Sequence, residues 1–201
     1  MPRSTTTARL FSTVALFTQT SGWPKDDIMH PKLTLVIGGA ASGKSAYAES
    51  LARQSGRPRI YLATSTAQDT EMQTKIARHI AQRGTGWTTI EAPLDLGPVL
   101  SNLTADQICL IDCATLWLSN QMMADNDILT AQSALLETLK FCAAPCIIVT
   151  NEVGHGIVPG NALARTFREV QGRLNIALAA QADLVVQVTV GLSTVLKGAQ
   201  P

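Results

Sequence analysis

The sequence predicts an α/β fold, a mostly parallel sheet with helices on both faces. Three observations lead there. From Leu33 onward, short apolar runs rich in β-branched residues alternate with helix-length amphipathic stretches. Parallel strands need crossovers of that kind. The first run leads directly into a glycine-rich loop that opens a helix. Apolar residues form 46% of the 201 residues and charged residues only 15%, enough for a core and too apolar for disorder.

The elements follow in order. Residues 33–37 (LTLVI) read as a buried strand ending in glycines, and 43–54 as the helix opened by that loop. Residues 59–63 (RIYLA) form a second strand. Residues 69–82 read as a helix with Asp69 at its N-cap. WTTIE at 87–91 is half polar and suits a strand near an edge, whereas ICLID at 108–112 suits a buried one. A helix over 128–141 precedes Pro145 and the strand 146–150. A long amphipathic helix, 162–182, and a strand, 184–190, complete the pattern. Residues 31–201 are expected to form one domain.

Residues 1–30 differ from the rest, being Ser/Thr-rich with one short apolar patch from Leu10 to Phe17. They read as a flexible N-terminal extension; translation from Met29 is the alternative for residues 1–28. No run of 18 apolar residues is present, so no membrane span is expected. Lys and Arg number 16 against 15 Asp and Glu, a net charge of +1, which argues against nucleic-acid binding through bulk charge. The four cysteines lie in or beside apolar runs at C-x3-C spacing. That suits buried hydrophobes in a reducing, cytoplasmic compartment better than zinc.

The chemistry concentrates in a few motifs. Gly38, Gly39, Ala40, Ala41, Ser42, Gly43, Lys44 and Ser45 match G-x4-G-K-[ST], the phosphate-binding P-loop. Its glycines let backbone N–H groups turn inward around phosphate oxygens, and the helix N-terminus adds a positive dipole end. Lys44 is expected to reach the outer phosphates and Ser45 to ligate Mg2+. Asp112, ending an apolar strand, is the acidic partner expected for that ion, with Glu152 a second candidate. Asn151-Glu152-Val153-Gly154 stands where guanine-reading switch proteins carry N-K-x-D, which argues against that class. His79 lies late on a predicted helix between Arg78 and Arg83. A lone helical histidine is usually a surface or core residue; the functional alternative is a nucleophile toward phosphorus. The segment 154–159 (GHGIVP) follows a strand directly, where open α/β sheets bind ligands.

Taken together, these motifs resemble the bifunctional adenosylcobinamide kinase/adenosylcobinamide-phosphate guanylyltransferase family. The matching stretches are GGAASGKSAYAE (38–49), YLATS (61–65), DTEMQTKIARHIAQR (69–83), WTTIEAP (87–93) and LIDCATLWLSN (110–120). VTNEVGHGIVP (149–159), RTFREVQGRLNIALAAQADLV (165–185) and GLSTVLKG (191–198) continue the set. The resemblance implies a P-loop NTPase-like fold and two reactions. The first is phosphorylation of the aminopropanol hydroxyl of adenosylcobinamide by ATP or GTP. The second is transfer of GMP from GTP to adenosylcobinamide phosphate, with Mg2+ present.

By the same resemblance, residues 38–45 hold the nucleotide phosphates and His79 carries GMP covalently. Ala63, Thr64, Ser65, Ile80, Ala81, Gln82, Arg83, Glu91 and Asp112 contact GTP, so Asp112 is open between magnesium and nucleotide. A homo-oligomer, a trimer in the family, is also implied. Ala41 departs from the pattern, since the family loop commonly has arginine there. Two other readings use the same loop: a plain small-molecule kinase with His79 structural, and a nucleotide-binding regulatory module.

Overall fold

The computed structural model describes residues 31–65 and 83–199. The extension 1–30, the helix expected over 69–82, and His79, Ile80, Ala81 and Gln82 lie outside the described residues. Strands β1 (Leu33–Gly38), β2 (Arg59–Ala63), β3 (Trp87–Glu91), β4 (Ile108–Asp112), β5 (Cys146–Asn151), β6 (Leu184–Thr189) and β7 (Leu192–Lys197) form one sheet. Their order is β3-β2-β4-β5-β1-β6-β7. All neighbours are parallel except β6 and β7, which pair antiparallel.

Helix α1 (Lys44–Gln54) covers one face, packing Ala48 and Ala52 on Val36, Leu110, Val149 and Val186. Among the described residues four helices cover the other: α2 (Gly97–Ser101), α3 (Ala114–Met123), α4 (Ile128–Phe141) and α5 (Ala162–Gln181). Their Leu100, Leu118, Leu139, Leu174 and Leu178 pack on Leu35, Leu62, Ile111 and Ile148. Central strands buried on both faces read as continuous apolar runs, as CIIV does in β5. The polar strand β3 lies at an edge, as its composition predicts. Caps fix two helix starts: Asp127 accepts from Thr130 N–H at 2.7 Å and Asn161 from Ala164 N–H at 2.7 Å.

Three elements escaped the sequence reading. Helix α3 is apolar around most of its girth, with Trp117 and Leu118 in the core, and so carries little periodicity. Helix α2 is a single short turn opened by Pro98. Strand β7 is exposed along its whole length, so it lacks a buried run. A two-residue turn, Val190 (φ 49°) and Gly191 (φ 81°), joins it to β6. The helix expected through 182 ends at Gln181, and the strand expected through Val190 ends at Thr189, because Val190 begins that turn. All four cysteines are free thiols and buried, as their apolar surroundings suggest.

Candidate phosphate-binding site

The chain leaves β1 toward β2 and β4 on one side, whereas from β5 it crosses β1 to reach β6 on the other. The crevice at the C-terminal ends of β1 and β5 is therefore the switch point where open α/β sheets bind ligands. Residues 38–45 sit there. Gly38 ends β1 so tightly against Val188 O and Ser42 Oγ that a Cβ would collide with both. Gly43 (φ 95°) is the left-handed N-cap of α1, lying against Gly191. Gly191 N–H donates to Ser42 O at 2.8 Å, so the β6–β7 turn buttresses the loop. Ala41 is exposed and also left-handed (φ 54°).

Lys44, the first helical residue, is 9% exposed, and its ammonium donates to Gly39 O at 3.0 Å. Burial holds it below the usual lysine range, opposed by Cys113 and the Asp112 carboxylate. Asp112 ends β4, on the same sheet face as Leu110 and α1. It accepts from the Tyr61 hydroxyl at 3.1 Å. Burial, and then Asp112, push that phenol upward. Burial likewise raises the Cys113 thiol to about 11, with Asp112 adding to it.

Among the described residues no group of three or more His, Cys, Asp or Glu can hold a metal. The Asp112 carboxylate, which bears on Lys44, and the Ser45 hydroxyl in the first turn of α1 are oxygen donors at the loop, beside the buried Ser42 hydroxyl within it. That set fits Mg2+, which usually takes one or two protein oxygens and completes its shell with phosphate and water.

The other positions expected to touch nucleotide are arranged differently. Ala63 pairs in register with Asp112 on one side and Glu91 on the other. Thr64 is fully buried: its hydroxyl accepts from Cys113 N–H at 2.8 Å and donates to Cys113 O at 2.8 Å. Its carbonyl accepts from Asn120 at 2.8 Å. Thr64 thereby fixes the residue next to Asp112. Arg83 is 5% exposed, stacked 3.5 Å over the Tyr61 ring and bonded to Thr89 Oγ1 at 2.9 Å. Its carbonyl accepts from Arg53, which also pairs with Glu49 at 2.8 Å. Glu91 is exposed on the edge strand, four strands from β1, roughly 19 Å at about 4.8 Å per strand. The Glu152 carboxylate accepts from Gly154 N–H within its own loop.

A buried polar network lies behind this edge, and local sequence gave no sign of it. Thr150 Oγ1 donates to Asn175 Oδ1 at 2.7 Å, and Gln171 Nε2 reaches Thr150 Oγ1 at 3.0 Å and Asn175 Oδ1 at 2.8 Å. Thr115 Oγ1 accepts from Asn151 N–H at 2.8 Å, and Asn175 Nδ2 donates to Asn151 O at 3.1 Å. The network ties α3 and α5 to the end of β5.

Loop, lysine, strand-end carboxylate and sheet order together define a P-loop NTPase-like α/β protein that binds nucleotide phosphates. The comparisons narrow the class. A family model described as cobinamide kinase / cobinamide phosphate guanyltransferase matches residues 34–196. The chain belongs to that family, and so is a bifunctional kinase and guanylyltransferase of cobalamin biosynthesis. It is 41% identical over 167 residues to the bifunctional adenosylcobalamin biosynthesis protein CobP of Pseudomonas aeruginosa, covering 82% of this chain and 96% of that one. It is 37% identical over 181 residues to the CobU protein of Salmonella typhimurium, covering 82% and 99%. A solved structure from Pyrococcus horikoshii shares the fold at TM-score 0.51 and 10% identity, covering 84% of this chain and 87% of that one. Among the described residues no helix is long and apolar enough to cross a membrane.

Proposed function

We propose that this chain carries out its two reactions with residues 38–45 as the phosphate cradle and His79 as the guanylyl carrier. In the kinase reaction, ATP or GTP lies with its phosphates on the loop N–H groups and Lys44. The aminopropanol hydroxyl of adenosylcobinamide attacks the terminal phosphorus, and the nucleoside diphosphate leaves. Lys44 stabilises the charge that develops on the transferred group. Ser45 and Asp112 are the residues that would hold Mg2+, which supplies charge neutralisation on the phosphates when bound. The observation that carries this reading is the buried Lys44 beside the loop, with Asp112 on the same sheet face.

In the second reaction the His79 imidazole attacks the α-phosphorus of GTP and pyrophosphate leaves. The phosphate of adenosylcobinamide phosphate then attacks the His79–GMP bond, giving adenosyl-GDP-cobinamide and freeing His79. Splitting one displacement between two polyanions into two steps gives each a positioned nucleophile. This step rests on the family resemblance of residues 69–83. Ala63, which ends β2, and Thr64 and Ser65, which follow it, are assigned to the nucleotide together with Ile80, Ala81, Gln82, Arg83 and Glu91 on the same resemblance. Ile157 and Val158, 98% and 68% exposed in the segment that follows β5, are an apolar pair for docking the corrinoid. A homo-oligomer in the cytoplasm completes the reading.

The test is incubation with α-labelled GTP and Mg2+, then denaturation. Acid-labile, alkali-stable label on the protein, absent in His79→Ala, is expected. His79→Ala should retain kinase turnover with adenosylcobinamide. Absence of label from a folded chain that binds GTP would leave a simple kinase or a nucleotide switch.

A further inference from the structure

We propose that the side-chain amide of Asn151 reads the terminal phosphate of the nucleotide on the 38–45 loop, so that the site prefers triphosphates over diphosphates. This inference rests on the phosphate-loop reading of those residues. Three observations carry it. The first is placement. Asn151 ends β5, the strand inserted between the loop strand β1 and the Asp112 strand β4, and pairs in register with Gly38, where the loop begins. One strand spacing, about 4.8 Å, separates those backbones.

The second is direction. Side chains alternate along a strand. Ile147 and Val149 pack in the cluster with Ala48 and Ala52 of α1, whereas Ile148 and Thr150 face α3 and α5. Asn151 therefore projects to the α1 face, the face that carries Lys44 and Asp112. The third is unused capacity held in a rigid frame. Thr115 and Asn175 grip the backbone N–H and carbonyl of Asn151 from the opposite face. Its Oδ1 is buried without a hydrogen-bond partner. A buried acceptor left unmatched is costly and uncommon, and points to a partner that arrives with the ligand. The phosphate oxygens are acceptors for the Nδ2 amide donor, and water held around the phosphate supplies the donor for Oδ1.

The alternatives within the fold are weaker. The Glu152 carboxylate is engaged by Gly154 N–H, and Thr150 is spent in the buried network. Ser42 Oγ, within the loop, is likewise buried without a partner; Asn151 is the residue that adds such an atom on that face at the end of the strand next to β1.

The experiment compares affinity for GDP and for guanosine β,γ-imidotriphosphate with Mg2+, in a His79→Ala background so that no guanylyl transfer consumes the ligand. Asn151→Ala should lower the triphosphate affinity by about tenfold, the scale of one hydrogen bond to a charged group, and leave GDP within about twofold. Asn151→Asp, nearly the same shape but anionic, should lose the triphosphate preference further; it also carries the test should the alanine variant fail to fold. Equal weakening of both nucleotides, or an unchanged preference, overturns the proposal. Should the Asn151-bearing chain bind neither nucleotide, or bind both regardless of Lys44→Ala, the phosphate-loop reading fails and takes the proposal with it.

Discussion

Replacing Thr64 by valine removes one hydroxyl and almost no volume, and the structure says what that hydroxyl holds. It accepts from Cys113 N–H at 2.8 Å and donates to Cys113 O at 2.8 Å, at a fully buried position. Cys113 O keeps a second partner, Trp117 N–H at 3.1 Å, at the start of α3. The valine variant therefore orphans the Cys113 N–H, at about 1–3 kcal/mol, and loses one net hydrogen bond to the carbonyl, about 0.5–1.5 kcal/mol. The sum is roughly 2–4 kcal/mol, which for a domain of this size lowers the melting temperature by roughly 5–15 °C. Serine keeps the hydroxyl and loses only a methyl group, roughly 1 kcal/mol. Because Cys113 follows Asp112 directly, valine should also reduce kinase turnover at temperatures where the chain is fully folded. Thermal or urea denaturation of both variants, with turnover beside it, tests this. A valine variant within about 0.5 kcal/mol of the parent, or a serine variant equally damaged, would refute the assigned role.

The loop, the hairpin, a buried acid and the buried polar network each give a further prediction. Ala41→Arg places at an exposed loop position the arginine that the family resemblance implies there, and should tighten nucleotide binding several-fold in titration calorimetry, less so at high salt. Val190, a β-branched residue at φ 49° and 83% exposed, should gain about 1 kcal/mol on replacement by asparagine, read by denaturation. Burial holds the Glu49 carboxyl above the ordinary 4.5, against the pull of Arg53. Between 4.5 and that raised value the folded chain keeps a proton that the unfolded chain has released, so stability falls as pH rises through the window. Glu49→Gln should flatten that slope in denaturation series across the acid range. Gln171→Leu, which breaks the buried network behind β5, should destabilise the chain by about 1–3 kcal/mol and weaken nucleotide binding through Asn151.

The sequence by itself determined the parts that depend on local order. The G-x4-G-K-S run dictates a strand, a tight loop and a helix, because only glycine fits beside Val188 O at position 38 or at φ 95° at position 43. Buried strands were legible as unbroken apolar runs, and β3 as an edge strand from its polar alternation. The family resemblance added His79, which no local pattern distinguishes from an ordinary helical histidine. Tertiary structure decided what depends on neighbours distant in the chain. The apolar α3 and the exposed β7 carry no periodic signal, since burial on all sides or on none erases it. The resemblance implies Thr64 and Arg83 as ligand contacts; tertiary structure adds what holds them, since Cys113 engages the Thr64 hydroxyl and the Arg83 guanidinium stacks on Tyr61 and donates to Thr89, residues brought close by strand pairing. Asn151 gained its place because β5 inserts between β1 and β4, and strand order is fixed by packing of whole elements rather than by any residue along the chain.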